Sequence, residues 1–438
     1  MAAPTENTYM LDQKDSGTSI QAGNMEEETA SFGSPQDTKM LVLEEQGGKK
    51  VDMSNLQQTG FNYINSIIGS GIIGIAYALR QAGFGLGIIL LLFIALITDY
   101  SLCILVKSGN IVGATTYQDL VHAAFGSPGF YFLTFIQFVY PYIAMVSYNV
   151  IIGDTITKVF LRMFNLPRDS ILGNRNLVVL VCTLIITLPL SLLRNISRLN
   201  KVSLVSLVFA VFIMLFVLVR LGTMTKFVPV TEGAYSFANY GITNAIGVIA
   251  FAYMCHHNSF LLYAALENPS QKRWNQVTHI SISAACMMIL VFGICGYVTF
   301  TGFSQGDLLE NYCMDDDWAN VARLLFTITI MLTYPIECFV TREGVLAAVP
   351  LAYVLPAVTY LKLESGSLFS WQKLPAFLMA LWGMVVAVCG LVIAIVNMTD
   401  QVTCSHGEEM PYCKHSPLNP NTSLPLNITG SFFNHISD

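Results

Sequence analysis

The chain has 438 residues, 54% of them hydrophobic and only 11% charged, with a mean hydropathy of +0.57. A soluble domain carries about 25% charged residues, so this composition excludes an ordinary soluble globule and predicts an all-α polytopic membrane protein. The formal net charge of −6 argues against a nucleic-acid partner, which would call for a basic surface, and leaves the lipid bilayer as the surroundings.

Residues 1–55 are polar, with acids at Glu26, Glu27 and Glu28 and bases at Lys49 and Lys50. They predict a disordered cytosolic tail and do not form a cleavable leader. At about twenty apolar residues per crossing, spans are expected near 58–79, 84–106, 129–161, 177–193, 202–222, 238–266, 279–302, 319–341, 345–361 and 374–397. That is roughly ten spans in a transmembrane domain, 56–398, followed by a polar tail, 399–438. Links carrying Arg194, Arg198 and Lys201, then Lys272 and Arg273, then Arg342, are basic, whereas loop 303–318 carries Asp307, Glu310, Asp315, Asp316 and Asp317 and no base. Positive loops stay in the cytosol, so the N-terminus and those links are expected inside and the acidic loop outside. Link 162–176, with Arg162, Arg168 and Arg175, breaks the pattern.

The first span, Phe61 to Ala78, holds Asn65, Ser66 and the run Gly69-Ser70-Gly71 in its middle. Unpaired backbone groups in hydrocarbon cost several kcal/mol, so a weakened turn there survives only where it lines a cavity or where a ligand replaces the missing partners. A broken helix that binds something is one reading, and a Gly/Ser packing face between helices is the other. About 180 residues later the run Cys255-His256-His257-Asn258-Ser259 interrupts a second apolar segment. Two interrupted helices five spans apart are what an inverted repeat with a midplane site predicts. A helix end at the membrane interface is the alternative, and the apolar run Phe260 to Leu266 beyond it counts against that.

In the eighth span, Thr333-Tyr334-Pro335-Ile336-Glu337 is followed by Arg342. Pro335 removes a backbone donor and frees a carbonyl, Glu337 can pair with Arg342, and Thr333 either offers oxygen to a small cation or bonds back to its own helix. Of the ten cysteines, seven lie in apolar stretches and act as small hydrophobes. Cys404 and Cys413 instead share the polar tail with the sequons at Asn421 and Asn427, which suggests an oxidising, glycosylating compartment.

The run Asn62 to Ile72, the link Arg194 to Ser203, Cys255-His256 and Leu332-Thr333-Tyr334-Pro335 together resemble the sodium-coupled neutral amino acid transporters. These belong with the amino acid/auxin permeases and have the LeuT-like fold, an inverted-repeat bundle with discontinuous first and sixth helices. The resemblance implies a secondary active transporter, not an enzyme, taking up a neutral amino acid with sodium as coupling ion and without a cofactor. It places the sodium ligands at Asn65 and Thr333 and the substrate at Gly69, Ser70 and Gly71, with Asn258 in the second break. Proton antiport or inhibition at acid pH would fall to His256 or His257, for which plain packing at a helix break is the alternative. Cys404 and Cys413 are the disulfide candidates and Asn421 and Asn427 the glycosylation sites. The expected location is the plasma membrane or an endolysosomal membrane. An amino acid sensor, binding without net transport, is the competing function.

The second half departs from the family's pattern. One span is missing: Thr341-Arg342-Glu343-Gly344-Val345 joins what resembles the eighth helix directly to what resembles the tenth, as if around fifty residues were absent. Ten ordinary crossings would put the tail in the cytosol, against its sequons. Three readings follow: residues 319–361 form one long tilted or re-entrant element, the C-terminal part inserts inverted, or the shortened chain is inactive.

Overall fold

The computed structural model describes residues 54–68, 70–167, 170–191, 199–343, 350–364, 370–399 and 410–415. Residues 1–53 of the expected tail 1–55, with Gly69, Cys404, Asn421 and Asn427, lie outside the described residues, as do the side chains of Ser70, Glu337 and Arg342. Helix α1, Leu56–Ile67, starts at a capping box in which Asn55 Oδ1 accepts from Gln58 N (2.9 Å) and Gln58 Oε1 from Asn55 N (3.4 Å). A 3₁₀ turn, Ser70–Gly74, leads into α2, Ile75–Ala82, which stops at Gly83 (φ +89°). Helix α3, Phe84–Val112, ends on the left-handed Gly113, and α4, Tyr117–Met163, is kinked at Gly126 (φ 67°). Then come α5, Arg175–Cys182, a π turn, Thr183–Thr187, α6, Leu188–Ser191, and α7, Leu199–Met224.

The second interrupted segment is α8, Ile242–Ala252, a 3₁₀ turn, His256–Asn258, and α9, Ser259–Ala265. Helices α10, Gln271–Phe300, and α11, Asp317–Glu343, flank the acidic loop. A π turn, Pro350–Val354, then precedes α12, Leu355–Leu363, and α13, Leu374–Thr399. Among the described residues, five stretches are long and apolar enough to cross a membrane: α3, α4, α7 from Leu204, Ile242–Ala265 taken across its break, and Gln271–Phe303. The α1–α2 pair, bent by 49°, makes a sixth. Exposed apolar side chains such as Leu96, Phe135, Ile185 and Val219 are the belt expected where lipid, not water, is the neighbour.

Charged side chains mark the two ends of the bundle. At the acidic end Lys158 pairs with Glu310, Arg220 with Asp316, Arg175 with Asp154, and Arg162 with Asp317 (2.9 Å). Two of the arginines that broke the charge pattern in link 162–176, Arg162 and Arg175, are therefore met by acids of the same end, while Arg168 lies outside the described residues. The buried Arg323 guanidinium donates to the carbonyls of Leu309 (2.9 Å) and Tyr312, and to Asn320 Oδ1 (2.8 Å), fastening loop 303–316 to α11. At the basic end, beside Lys272 and Arg273, Asn110 Nδ2 donates to Gln271 Oε1 (3.0 Å), and Ser54 pairs with Leu266.

One expectation is corrected here. Cys413 is bonded to Cys313 of the acidic loop, 100 residues away, and not to Cys404. Tyr412 reinforces the bridge by donating to Asn311 O (2.6 Å). Cys313, passed over in the sequence, is the partner because Met410 and Tyr412 bury it at that end.

The expected span 345–361 is described only from Pro350, and within it Ala352–Leu363 is a shorter apolar helix. It lies along α3 from Thr98 (Oγ1 to Tyr353 OH, 3.1 Å) to Lys107 (Nζ to Tyr360 OH, 3.0 Å; to Glu364, 3.2 Å), ending at the basic end. There Lys373 donates to Glu364 O (2.6 Å), and α13 starts back, passing Tyr353 and Val354 at Gly383. Helix α11 leaves the acidic end and α13 returns towards it, where Pro411–His415 is cross-linked. This leg lies beside α3 as the re-entrant reading expects, and residues 344–349, which join it to α11, lie outside the described residues.

Candidate substrate and ion site

Asn65 sits in the last turn of α1 and is 5% exposed. A helix terminus leaves backbone carbonyls without helical partners, so this turn offers an amide and carbonyl oxygens at one place. Gly71, just past the break, lies against the last turn of α8: a Cβ there would stand 2.5 Å from Ala252 Cα and 3.1 Å from Ala252 N. Only glycine lets the two backbones approach this closely. The two breaks thus meet each other.

Two side-chain bonds hold them together. Asn258 Nδ2 donates to Ser66 Oγ (2.7 Å), and Tyr63 OH pairs with Ser259 Oγ (2.8 Å), with Tyr63 and Ser259 fully buried. Asn258 therefore joins the first break as expected, through its amide N–H. Its Oδ1 is turned elsewhere than to Ser66. Sequence reasoning singled out Asn258 but not Tyr63 or Ser259, whose only signal is that each is a hydroxyl within an interrupted helix.

Thr333 is 9% exposed and donates to Thr329 O (3.1 Å) and Ile330 O (3.0 Å) of its own helix. That is the back-bonded alternative, yet the hydroxyl's lone pairs are not used by it, and these are what a cation takes. Thr329, one turn earlier, lines a narrow apolar cleft with Ile68, Ile72 and Ile73 of the first break and Ile213, Phe292 and Phe326. The cleft brings α11 and the first break to one place, one turn from Thr333.

His256 is fully buried. Its Nε2 lies 3.1 Å from Ser101 Oγ, while Ser101 donates its single proton to Ala352 O in the π turn. Nε2 must therefore be the donor, which leaves Nδ1 unprotonated, and Nδ1 has no hydrogen-bond partner. Tyr353 packs edge-on to the imidazole at 6.0 Å. The second break is thus tied through α3 to the π turn Pro350–Val354, a link that no local sequence signal carries. His257 is also at the break.

The description "Transmembrane amino acid transporter protein" names the family model that matches residues 53–346, ending beside the Arg342 to Val345 junction. "Putative sodium-coupled neutral amino acid transporter 11" of Rattus norvegicus is 41% identical over 424 residues, covering 86% of this chain and 92% of that protein. The protein of the same name in Danio rerio is 38% identical, covering 89% and 96%. Vacuolar amino acid transporter 2 of Saccharomyces cerevisiae is 30% identical, covering 67% and 62%. The rat alignment runs over 424 positions yet takes in only 86% of these 438 residues, so several dozen of its positions have no counterpart here, in accord with the missing stretch. With the matched region spanning both broken helices, the chain belongs to the transmembrane amino acid transporter family.

Proposed function

We propose that the protein is a sodium-driven secondary transporter of neutral amino acids, with its basic end in the cytosol. The observation that carries this is the meeting of the two broken helices at Gly71 and Ala252, with Asn65 and Asn258 in the breaks. A half-helix start offers amide N–H groups to a carboxylate, and freed carbonyls serve the ammonium and a hard cation. Asn65 and Thr333 supply neutral oxygens to sodium. Gly69, Ser70 and Gly71 take the substrate's carboxylate. No acid or base stands in the breaks besides the two histidines, which favours an uncharged substrate side chain.

Uptake of alanine or glutamine into proteoliposomes, with sodium replaced by choline, tests the reading. Sodium-dependent accumulation lost in Asn65→Ala and Thr333→Val supports it. Saturable binding without accumulation would replace it with the sensor, and neither binding nor uptake with the inactive form.

We assign proton coupling to His256, whose buried Nδ1 has no hydrogen-bond partner among the described residues. The groups facing it are His257, Ser101 and Tyr353. Transport that keeps its pH profile in His256→Gln would remove this assignment.

A further inference from the structure

Asp99 and Cys103 lie four residues apart on α3, one turn, and so share a face. Ser101, between them, faces His256, so this second face points away from the breaks. Across the seam stands α10, where Thr278 Oγ1 lies 3.3 Å from Cys103 Sγ and His279 Nδ1 lies 2.6 Å from Asp99 Oδ2. One oxygen, one sulfur and one nitrogen donor are gathered within 4.8 Å of one another. Asp99 Oδ1 is buried and accepts no hydrogen bond.

We infer that Asp99, Cys103 and His279 form a binding site for a divalent transition-metal cation of the zinc class, separate from the substrate and sodium site. Zinc takes carboxylate, thiolate and imidazole at about 2.0–2.3 Å in a tetrahedron, whose donors stand about 3.3–3.8 Å apart. Gathered within 4.8 Å of one another, the three donors have to close by about 1 Å to meet that spacing. Harder ions such as magnesium and calcium take six or more oxygens, and this site offers one carboxylate.

Charge points the same way. A dication with one carboxylate, one thiolate and one neutral imidazole sums to zero, which suits a seam at membrane depth. Coordination takes the cysteine as its thiolate, so binding displaces the thiol proton. Among the described residues, the nearest base along α3, Lys107, is held by Glu364 and Tyr360. The His279 side chain is 57% exposed, so the site opens at the outer surface of the bundle.

The test uses the full chain in nanodiscs, with zinc chloride as the probe. Alkylation of individual cysteines is followed by peptide mass spectrometry, and thermal unfolding is recorded with and without zinc. At tens of micromolar, zinc is expected to slow alkylation of Cys103 at least tenfold and leave the exposed Cys389 unaffected. It is also expected to raise the unfolding midpoint, and both effects should vanish in Asp99→Asn and in His279→Gln. Unchanged Cys103 reactivity and midpoint, or zinc effects that survive both variants, would overturn the site and leave an Asp–His pair alone.

Discussion

Gly71→Ala probes the contact on which the candidate site depends. The added Cβ would sit 2.5 Å from Ala252 Cα and 2.9 Å from Ala252 Cβ, where ordinary contact needs 3.4–4 Å. Because the obstructing atoms are backbone and a methyl group, no side chain can swing aside, and α8 must move away from the first break by about 1 Å. Overpacking of this kind costs about 1–3 kcal/mol. A misplacement of about 1 Å in groups that position a reactant costs about 10²-fold in rate. Uptake per transporter at the membrane is therefore expected to fall about 10- to 100-fold, and the unfolding midpoint to drop. Gly247→Ala is the internal control, since Gly247 is on the same α8 and a Cβ there meets nothing within 4 Å. It gains up to about 1 kcal/mol of helix propensity. The reasoning is refuted if Gly71→Ala transports within twofold of the unaltered protein at equal abundance.

Non-reducing peptide mapping is expected to recover Cys313 linked to Cys413, and Cys413→Ser to lose about 2–5 kcal/mol of stability, seen as a lower unfolding midpoint, while Cys404→Ser leaves it unchanged. Burial, and next to it the Glu310 carboxylate, push the Asp307 carboxyl up from its ordinary range. The folded protein therefore holds that proton more tightly than the unfolded chain, and stability present below the ordinary carboxylate range is lost as pH rises through the elevated value. Asp307→Asn, which keeps an oxygen for Leu309 N, should flatten the decline in unfolding midpoint with rising pH; an unaltered slope counts against it. Removing the donor to Ser66 in Asn258→Ala is expected to cost about 1 kcal/mol and to raise KM for the amino acid several-fold with the sodium dependence intact, as read from uptake at varied substrate and varied sodium.

How much of this was legible in the chain depends on the range of each interaction. The apolar runs, the two interruptions at Gly69 to Gly71 and Cys255 to Ser259, and the acidic loop were readable because each is a local departure from helical, apolar chemistry. So was the shortfall at Thr341 to Val345, since a missing span is a matter of length. Contacts across the bundle were not readable. Cys313 could not be paired with Cys413 from spacing, because 100 residues separate them and only the fold brings the tail to the acidic loop. Nor could the π turn be seen to hold His256 through Ser101, or Gly71 to meet Ala252, since no side-chain pattern records which helix becomes a neighbour. The sequence by itself determined the membrane as solvent and the places where the helices break, because both follow from how much apolar chain stands in a row. Only the tertiary structure decided which breaks face each other and which cysteines join, because those outcomes depend on packing between segments far apart in the chain.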